Sequence, residues 1–148
     1  METLAGLQQE ELIGQLGVSN VTAEQVAEAR AVTPIVCVQN MYNLANRWDD
    51  HLIDSLAADN IAYVPFFPLG GFSPLQADAL TAVATRLETT QMLETTQMAV
   101  ALAWLLQRSE NILLIPGTSK VAHLRENITG ASLSLTEQDL VELDNINS

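Results

Sequence analysis

Apolar residues gather along the chain in two patterns. Four short runs, within Ile13–Ser19, Ile35–Val38, Ile61–Phe67 and Ile112–Ile115, have the length and residue types of strands buried on both faces. The segments between them repeat at helical spacing. Glu2–Glu11 carries Leu4 and Leu7, with Leu12 next. Ala23–Arg30 follows a capping-box pattern at Thr22–Gln25. Trp48–Ala58 sets Leu52, Ile53, Leu56 and Ala57 on one face, and Pro74–Gln107 is helical in pattern with one irregularity. Val121, Leu124 and Ile128 predict a helix from near Ser119 to Thr129, and Thr136–Asp139 opens a last one with Leu140 and Leu143 inward. The order is one helix, four βα units and an extra C-terminal helix, an α/β fold with a parallel sheet.

Polar and small residues cluster directly after each strand: Ser19-Asn20, Gln39–Asn43, Phe66–Gly71 and Gly117–Ser119. In parallel α/β folds the ligand site lies at the C-terminal ends of the strands. In Ile112–Asn127 a strand turns through Pro116-Gly117-Thr118-Ser119 into a helix. Free N–H groups and the helix dipole make such a turn an anion site, and Lys120, His123 and Arg125 add positive charge. The same turn also reads as an ordinary βα connection with a good N-cap.

The chain has 148 residues, enough for one domain spanning 1–148, and is 48% hydrophobic. Six basic against eighteen acidic residues give a net charge of −12, a surface that repels nucleic acid and anionic membranes. Two of the six basic residues, Lys120 and Arg125, fall in the turn just described. The single Cys37 cannot form an internal disulfide, and no apolar run approaches the roughly 20 residues that span a bilayer. The start Met1-Glu2-Thr3 lacks the features of a signal peptide. A cytoplasmic location is therefore expected. His51 reads as a surface residue and Trp104 as core packing. Trp48 and Tyr42 are left open, since a lone aromatic after a strand often serves as cover for the core.

The segments LGVSN (Leu16–Asn20), VQNMYN (Val38–Asn43), the PLGG turn (Pro68–Gly71), VALAWLLQR (Val100–Arg108) and IPGTSKVAHLREN (Ile115–Asn127) together resemble the aldo-keto reductases in order and spacing. The resemblance covers nearly the whole chain. It implies the C-terminal half of a TIM (β/α)8 barrel and a nicotinamide cofactor, usually NADPH, used to reduce aldehydes and ketones. It also implies site residues. Ser19, Asn20 and Gln39 match positions that hydrogen-bond the nicotinamide carboxamide, which asks for both donors and acceptors. Phe66 matches the ring that stacks on the nicotinamide. Pro68, Leu69 and Gly70 match the loop along the pyrophosphate. Gly117, Thr118, Ser119 and Lys120 match the loop around the adenosine phosphate, and Glu126 and Asn127 match the residues that hold the adenine. His123 stands where many members place an arginine on the 2′-phosphate. Imidazole is a weaker partner for a dianion than a bidentate guanidinium, so NADP(H) is expected with NAD(H) also open.

The resemblance also implies what this chain lacks. The family's catalytic Asp, Tyr, Lys and His come from the first half of the barrel. The one lysine here, Lys120, lies in the phosphate loop; the tyrosines are Tyr42 and Tyr63, and the histidines His51 and His123. No catalytic set and no metal site are expected, and the chain alone should be inactive for want of a general acid. The alternative is a non-catalytic half-barrel, a truncated product serving as a binding or interaction module. Either reading leaves two sheet edges open, which favours self-association or docking of the missing N-terminal half.

LETTQM occurs twice in tandem, Leu87–Met92 and Leu93–Met98. An unbroken helix here would reach roughly 50 Å and would bury Gln91 and Glu94. Threonine is a poor interior helix residue but a good cap. A break is expected, with the first copy extending the first helix by about a turn. The second helix then starts near Thr95 or Thr96, and the extra residues sit at the surface.

Overall fold

The structure is a computed structural model that describes residues 1–70, 78–91 and 95–147. Its sheet has three parallel strands in sequence order: β1 (Gly17–Ser19), β2 (Cys37–Gln39) and β3 (Ala62–Tyr63). Pairing continues beyond these limits through Val36 N to Leu16 O at 2.9 Å, Val64 N to Val38 O at 2.8 Å and Phe66 N to Asn40 O at 2.9 Å. The fourth apolar run is a correction to the expected four strands. It lies beside β3 but forms only a single parallel bridge, Tyr63 to Ile112, with Leu113 N donating to Tyr63 O at 2.9 Å. Leu113 and Ile115 are exposed. Among the described residues no further strand pairs with this run, so nothing holds it to ladder geometry before Pro116 turns it away.

Seven α-helices are described: α1 (Glu2–Gln9), α2 (Ala23–Val32), α3 (Asp50–Ala58), α4 (Asp78–Gln91), α5 (Gln97–Arg108), α6 (Val121–Gly130) and α7 (Glu137–Asp144). Helix α2 has the expected capping box. Thr22 Oγ1 accepts from Gln25 N, and Gln25 Oε1 accepts from Thr22 N. The expected break in the tandem repeat is present. Helix α4 runs into the first LETTQM copy and is described as far as Gln91, residues 95 and 96 are not helical, and α5 starts at Gln97 with Thr96 Oγ1 accepting from Ala99 N at 3.1 Å. Gln97 Nε2 reaches Thr81 Oγ1 at 2.7 Å, so α5 folds back along α4 instead of prolonging it. The expected surface bulge falls on residues 92–94, outside the described residues. So does the predicted helix start at Pro74.

The main core joins Val38 and Tyr63 of the sheet to Ile53 and Leu56 of α3, Leu80, Val83 and Leu87 of α4, Val100, Trp104 and Leu105 of α5, and Leu143 of α7. Trp104 is core, as its spacing implied. It stacks on Tyr42, its indole N–H donates to Asp144 Oδ1 at 3.0 Å, and the Arg47 guanidinium lies over its ring. A smaller cluster of Leu16, Ala29 and Ile35 lies under α2. Helix α6 behaves otherwise. Val121, Leu124 and Ile128, the residues that announced the helix, are all exposed. Gly130 at its C-terminal end contacts α5 so closely that an added Cβ would lie 2.8 Å from Ala99 Cβ and 3.0 Å from Ala99 Cα. No described helix is long and apolar enough to cross a membrane.

Candidate functional site

Parallel strands in register bring the expected residues of the first two βα units together. Ser19 and Gln39 are Cα partners at the ends of β1 and β2, and Asn20 N donates to Gln39 O at 2.9 Å. Asn20 has φ 55°, a left-handed conformation that asparagine tolerates better than most residues. Ser19 and Asn20 are exposed and Gln39 is half-buried, so their polar groups can meet a ligand.

A second group lines a cleft of about 280 Å³. Phe67, Pro68 and Leu69 come from the loop after β3, Ile115, Pro116, Gly117 and Thr118 from the turn after the fourth run, Met98 from α5, and His123, Glu126 and Asn127 from α6. Two loops some fifty residues apart in sequence thus form opposite sides of one cleft. The first is a tight turn in which Gly70 N donates to Phe67 O at 3.0 Å. Gly70 has φ 88°, where a side chain would be strained, which is the reason for glycine there. The second leads into α6 at Lys120, where no side-chain hydrogen bond caps the helix. Thr118 Oγ1 instead accepts from Lys120 N at 3.1 Å. The good N-cap of an ordinary connection is therefore not found, and the first-turn N–H groups keep their pull on anions.

The cleft gathers Pro68, Leu69, Gly117, Thr118, His123, Glu126 and Asn127. It does not gather Ser19, Asn20 and Gln39, which form the separate cluster at the ends of β1 and β2, nor Gly70, Ser119 and Lys120, which neighbour it in the chain. Phe66 is half-buried, packed edge-on against Phe67 at 5.4 Å between ring centres, and the exposed Phe67 is the aromatic that lines the cleft. Phe67, Met98, Ile115 and Pro116 are lining residues that no sequence signal set apart from core or turn residues.

Charge is placed selectively. Arg30 pairs with Asp59; Arg47 with Asp50 and Asp144; Arg86 with Asp139 and Glu142; and Arg108 with Asp50 and Asp54. Among the described residues Lys120 and Arg125 have no carboxylate within 4.0 Å, although acidic residues outnumber basic ones three to one. The cations left unneutralised are the two on the turn and helix beside the cleft.

Neither tyrosine is placed to act as an acid. Tyr42 donates to Asp50 Oδ1 and Tyr63 donates to Asp49 Oδ2 at 2.8 Å, and both rings are fully buried. Burial first, then the carboxylate each faces, pushes both phenols well above the usual tyrosine range. A catalytic acid needs the opposite shift. Tyr42 is thus a core residue, while Trp48 is almost fully exposed and covers nothing. His51 is exposed, as expected. Among the described residues no group of His, Cys, Asp and Glu could hold a metal ion.

A model of the aldo/keto reductase family matches residues 1–148. A pyridoxine 4-dehydrogenase of Escherichia coli (strain K12) is 60% identical over 146 residues, which cover 99% of this chain and 49% of that protein. An uncharacterised oxidoreductase of Schizosaccharomyces pombe is 37% identical over 142 residues, covering 95% of this chain and 44% of that protein. The crystal structure of a thermostable aldo-keto reductase in complex with the inhibitor epalrestat superposes with a TM-score of 0.82 at 28% identity, over 97% of this chain and 52% of that one. The chain spans about half the length of the curated relatives it matches.

Proposed function

The chain belongs to the aldo/keto reductase family, and from that premise we propose that it is the cofactor-holding C-terminal half of an NADP(H)-dependent aldo-keto reductase barrel, residues 1–148 acting as one domain of a cytoplasmic oxidoreductase. The observation that carries the proposal is the cleft between the Phe67–Gly70 turn and the start of α6. Residues expected at the pyrophosphate and adenosine end line it together, and Lys120 and Arg125, which among the described residues have no carboxylate partner, lie on the turn and helix that contribute to its lining. In this reading Pro68, Leu69 and Gly70 run along the pyrophosphate. Gly117, Thr118, Ser119 and Lys120 hold the adenosine phosphate with His123, and Glu126 and Asn127 hold the adenine. Ser19, Asn20 and Gln39 take the carboxamide, and Phe66 lies by the nicotinamide. Free Lys120 and Arg125 favour the 2′-phosphate of NADP(H) over NAD(H), which offsets the absence of an arginine at His123.

The other half of the barrel would carry the hydride-acceptor pocket and the proton donor. The exposed apolar residues Leu113, Ile115, Val121, Leu124 and Ile128 support a covering partner at that edge, either the missing N-terminal half or a second copy. Residues 1–148 alone therefore bind cofactor and do not reduce aldehydes. Titration of the purified chain with NADPH and with 2′,5′-ADP, followed by an aldehyde-reduction assay, tests both statements. Saturable binding of both ligands without turnover is expected. No binding of 2′,5′-ADP would overturn the cofactor site, and steady aldehyde-dependent NADPH oxidation above a heat-killed control would overturn the division of labour.

A further inference from the structure

The VQNMYN segment holds two polar residues that the proposed cofactor contacts leave unused, Asn40 and Asn43. Both are buried, at 6% and 4% exposure, and a buried amide that made no bonds would be destabilising. Asn40 pairs with the loop after β1 as a neighbouring strand residue would. Its Oδ1 accepts from Val21 N at 3.0 Å, and its Nδ2 donates to Val21 O at 2.7 Å. The same Nδ2 donates to Asp49 Oδ2 at 2.7 Å, and Tyr63 OH donates to that oxygen at 2.8 Å. Asp49 occupies the N-cap of α3 yet makes no side-chain cap bond there. Its carboxylate serves Asn40 and Tyr63 instead.

Asn43 does the equivalent for the loop after β3. Its Nδ2 donates to Phe67 O at 3.0 Å, while its Oδ1 accepts from Ala45 N at 2.9 Å. Each loop passes through a non-glycine residue in left-handed conformation at or beside the clamped position. Asn20 has φ 55° and precedes Val21, and Phe67 has φ 52°. Such residues hold that conformation only where their surroundings fix it.

Resting on the cofactor site proposed above, we infer that Asn40 and Asn43 are positioning residues that set two different parts of that site from one loop. Asn40, backed by Asp49 and Tyr63, fixes Ser19 and Asn20 at the nicotinamide end. Asn43 fixes the Phe67–Gly70 turn at the pyrophosphate. Neither touches the cofactor. The turn that leads into α6 is outside the reach of both, so the adenosine end is independent of them.

Three ligands of decreasing length separate the roles: NADPH, 2′-phospho-ADP-ribose, which lacks the nicotinamide, and 2′,5′-ADP, which lacks the pyrophosphate linkage as well. Their affinities are measured by calorimetry on the full chain and on Asn40→Ala and Asn43→Ala. Asn40→Ala should bind NADPH about tenfold more weakly and both fragments unchanged. Asn43→Ala should lose about the same factor for NADPH and for 2′-phospho-ADP-ribose, with 2′,5′-ADP unchanged. A purely structural role would weaken all three ligands together, and that outcome overturns the inference, as do unchanged affinities in both variants. Asn40→Ser and Asn43→Ser, checked by circular dichroism, replace any alanine variant that does not fold. Loss of fold in both substitutions at a position also counts against the inference, because it would make that asparagine a support of the whole core. Failure of the unmodified chain to bind 2′,5′-ADP would instead refute the cofactor site itself.

Discussion

Replacing Asp139 by alanine should destabilise the chain by about 3 kcal/mol at neutral pH. The side chain is 1% exposed and joins two helices. Its Oδ2 accepts from Thr136 N at 2.8 Å and from Thr136 Oγ1 at 2.7 Å, closing the capping box that starts α7. Its Oδ1 accepts from Arg86 Nε at 2.8 Å and from Arg86 Nη2, tying α7 to α4. Losing the hydrogen bond from Thr136 N costs about 1 kcal/mol, while the cap itself, Thr136 Oγ1 accepting from the backbone N–H of Asp139, survives the substitution. Losing the charged hydrogen bond from Thr136 Oγ1 costs about 1 more. A buried ion pair can be worth 3–5 kcal/mol when one partner is removed. Arg86, however, is one-third exposed and keeps Glu142 at 2.9 Å, so its share is discounted to about 1.

The pH dependence follows from the same contacts. Burial opposes ionisation of Asp139, but the Thr136 hydrogen bonds and the Arg86 guanidinium outweigh it and hold its carboxyl below the ordinary value of 3.8. A carboxyl depressed in the fold contributes its stability above the unfolded value and loses it as pH falls through the folded one. Urea unfolding of both chains at pH 7, 5 and 3 measures this. The gap between them should be full at pH 7 and 5 and should shrink at pH 3. A loss under about 0.5 kcal/mol at pH 7, the level of an ordinary surface substitution, or a gap that does not change with pH, would refute the assigned role.

Changing Lys120 and Arg125 together to alanine should weaken NADPH binding about tenfold at low salt, each exposed cation contributing somewhat under 1 kcal/mol against the 2′-phosphate. NADH binding should change little, and equal losses in parallel titrations would remove the 2′-phosphate assignment. Gly130→Ala should cost about 1–3 kcal/mol through overpacking. The new methyl meets the Ala99 backbone at 3.0 Å, and an unchanged urea midpoint would show that α6 slides freely on α5. Deleting one LETTQM copy should leave stability within about 0.5 kcal/mol or improve it, since loop length acts only logarithmically. Leu80, Val83 and Leu87 remain to anchor α4, and unfolding on deletion would show that the second copy is structural.

The helix order, the first three strands, the capping box at Thr22, the helix start at Thr136, the restart of the helix at Thr96, and the core role of Trp104 were legible in the sequence. Each depends on neighbours a few residues away or on a period that a single element imposes on itself. The family resemblance was legible for a related reason, because its motifs are short contiguous stretches, VALAWLLQR within helix α5 and the others at or just after the apolar runs. Tertiary structure decided the rest. Ile112–Ile115 has the apolar run of a strand but makes a single bridge, because a ladder needs a partner on its far side. Val121, Leu124 and Ile128 have helical spacing but stay exposed, because spacing shows which residues share a face and not what covers it. Asn40 and Asn43 read in the sequence only as members of the polar cluster Gln39–Asn43. Only the fold shows their side chains turned inward to hold backbone of other βα units, since a hydrogen bond between residues 19 or 24 apart leaves no period in the chain. The pairing of four arginines, and with it the freedom of Lys120 and Arg125, was likewise invisible until distant helices were packed.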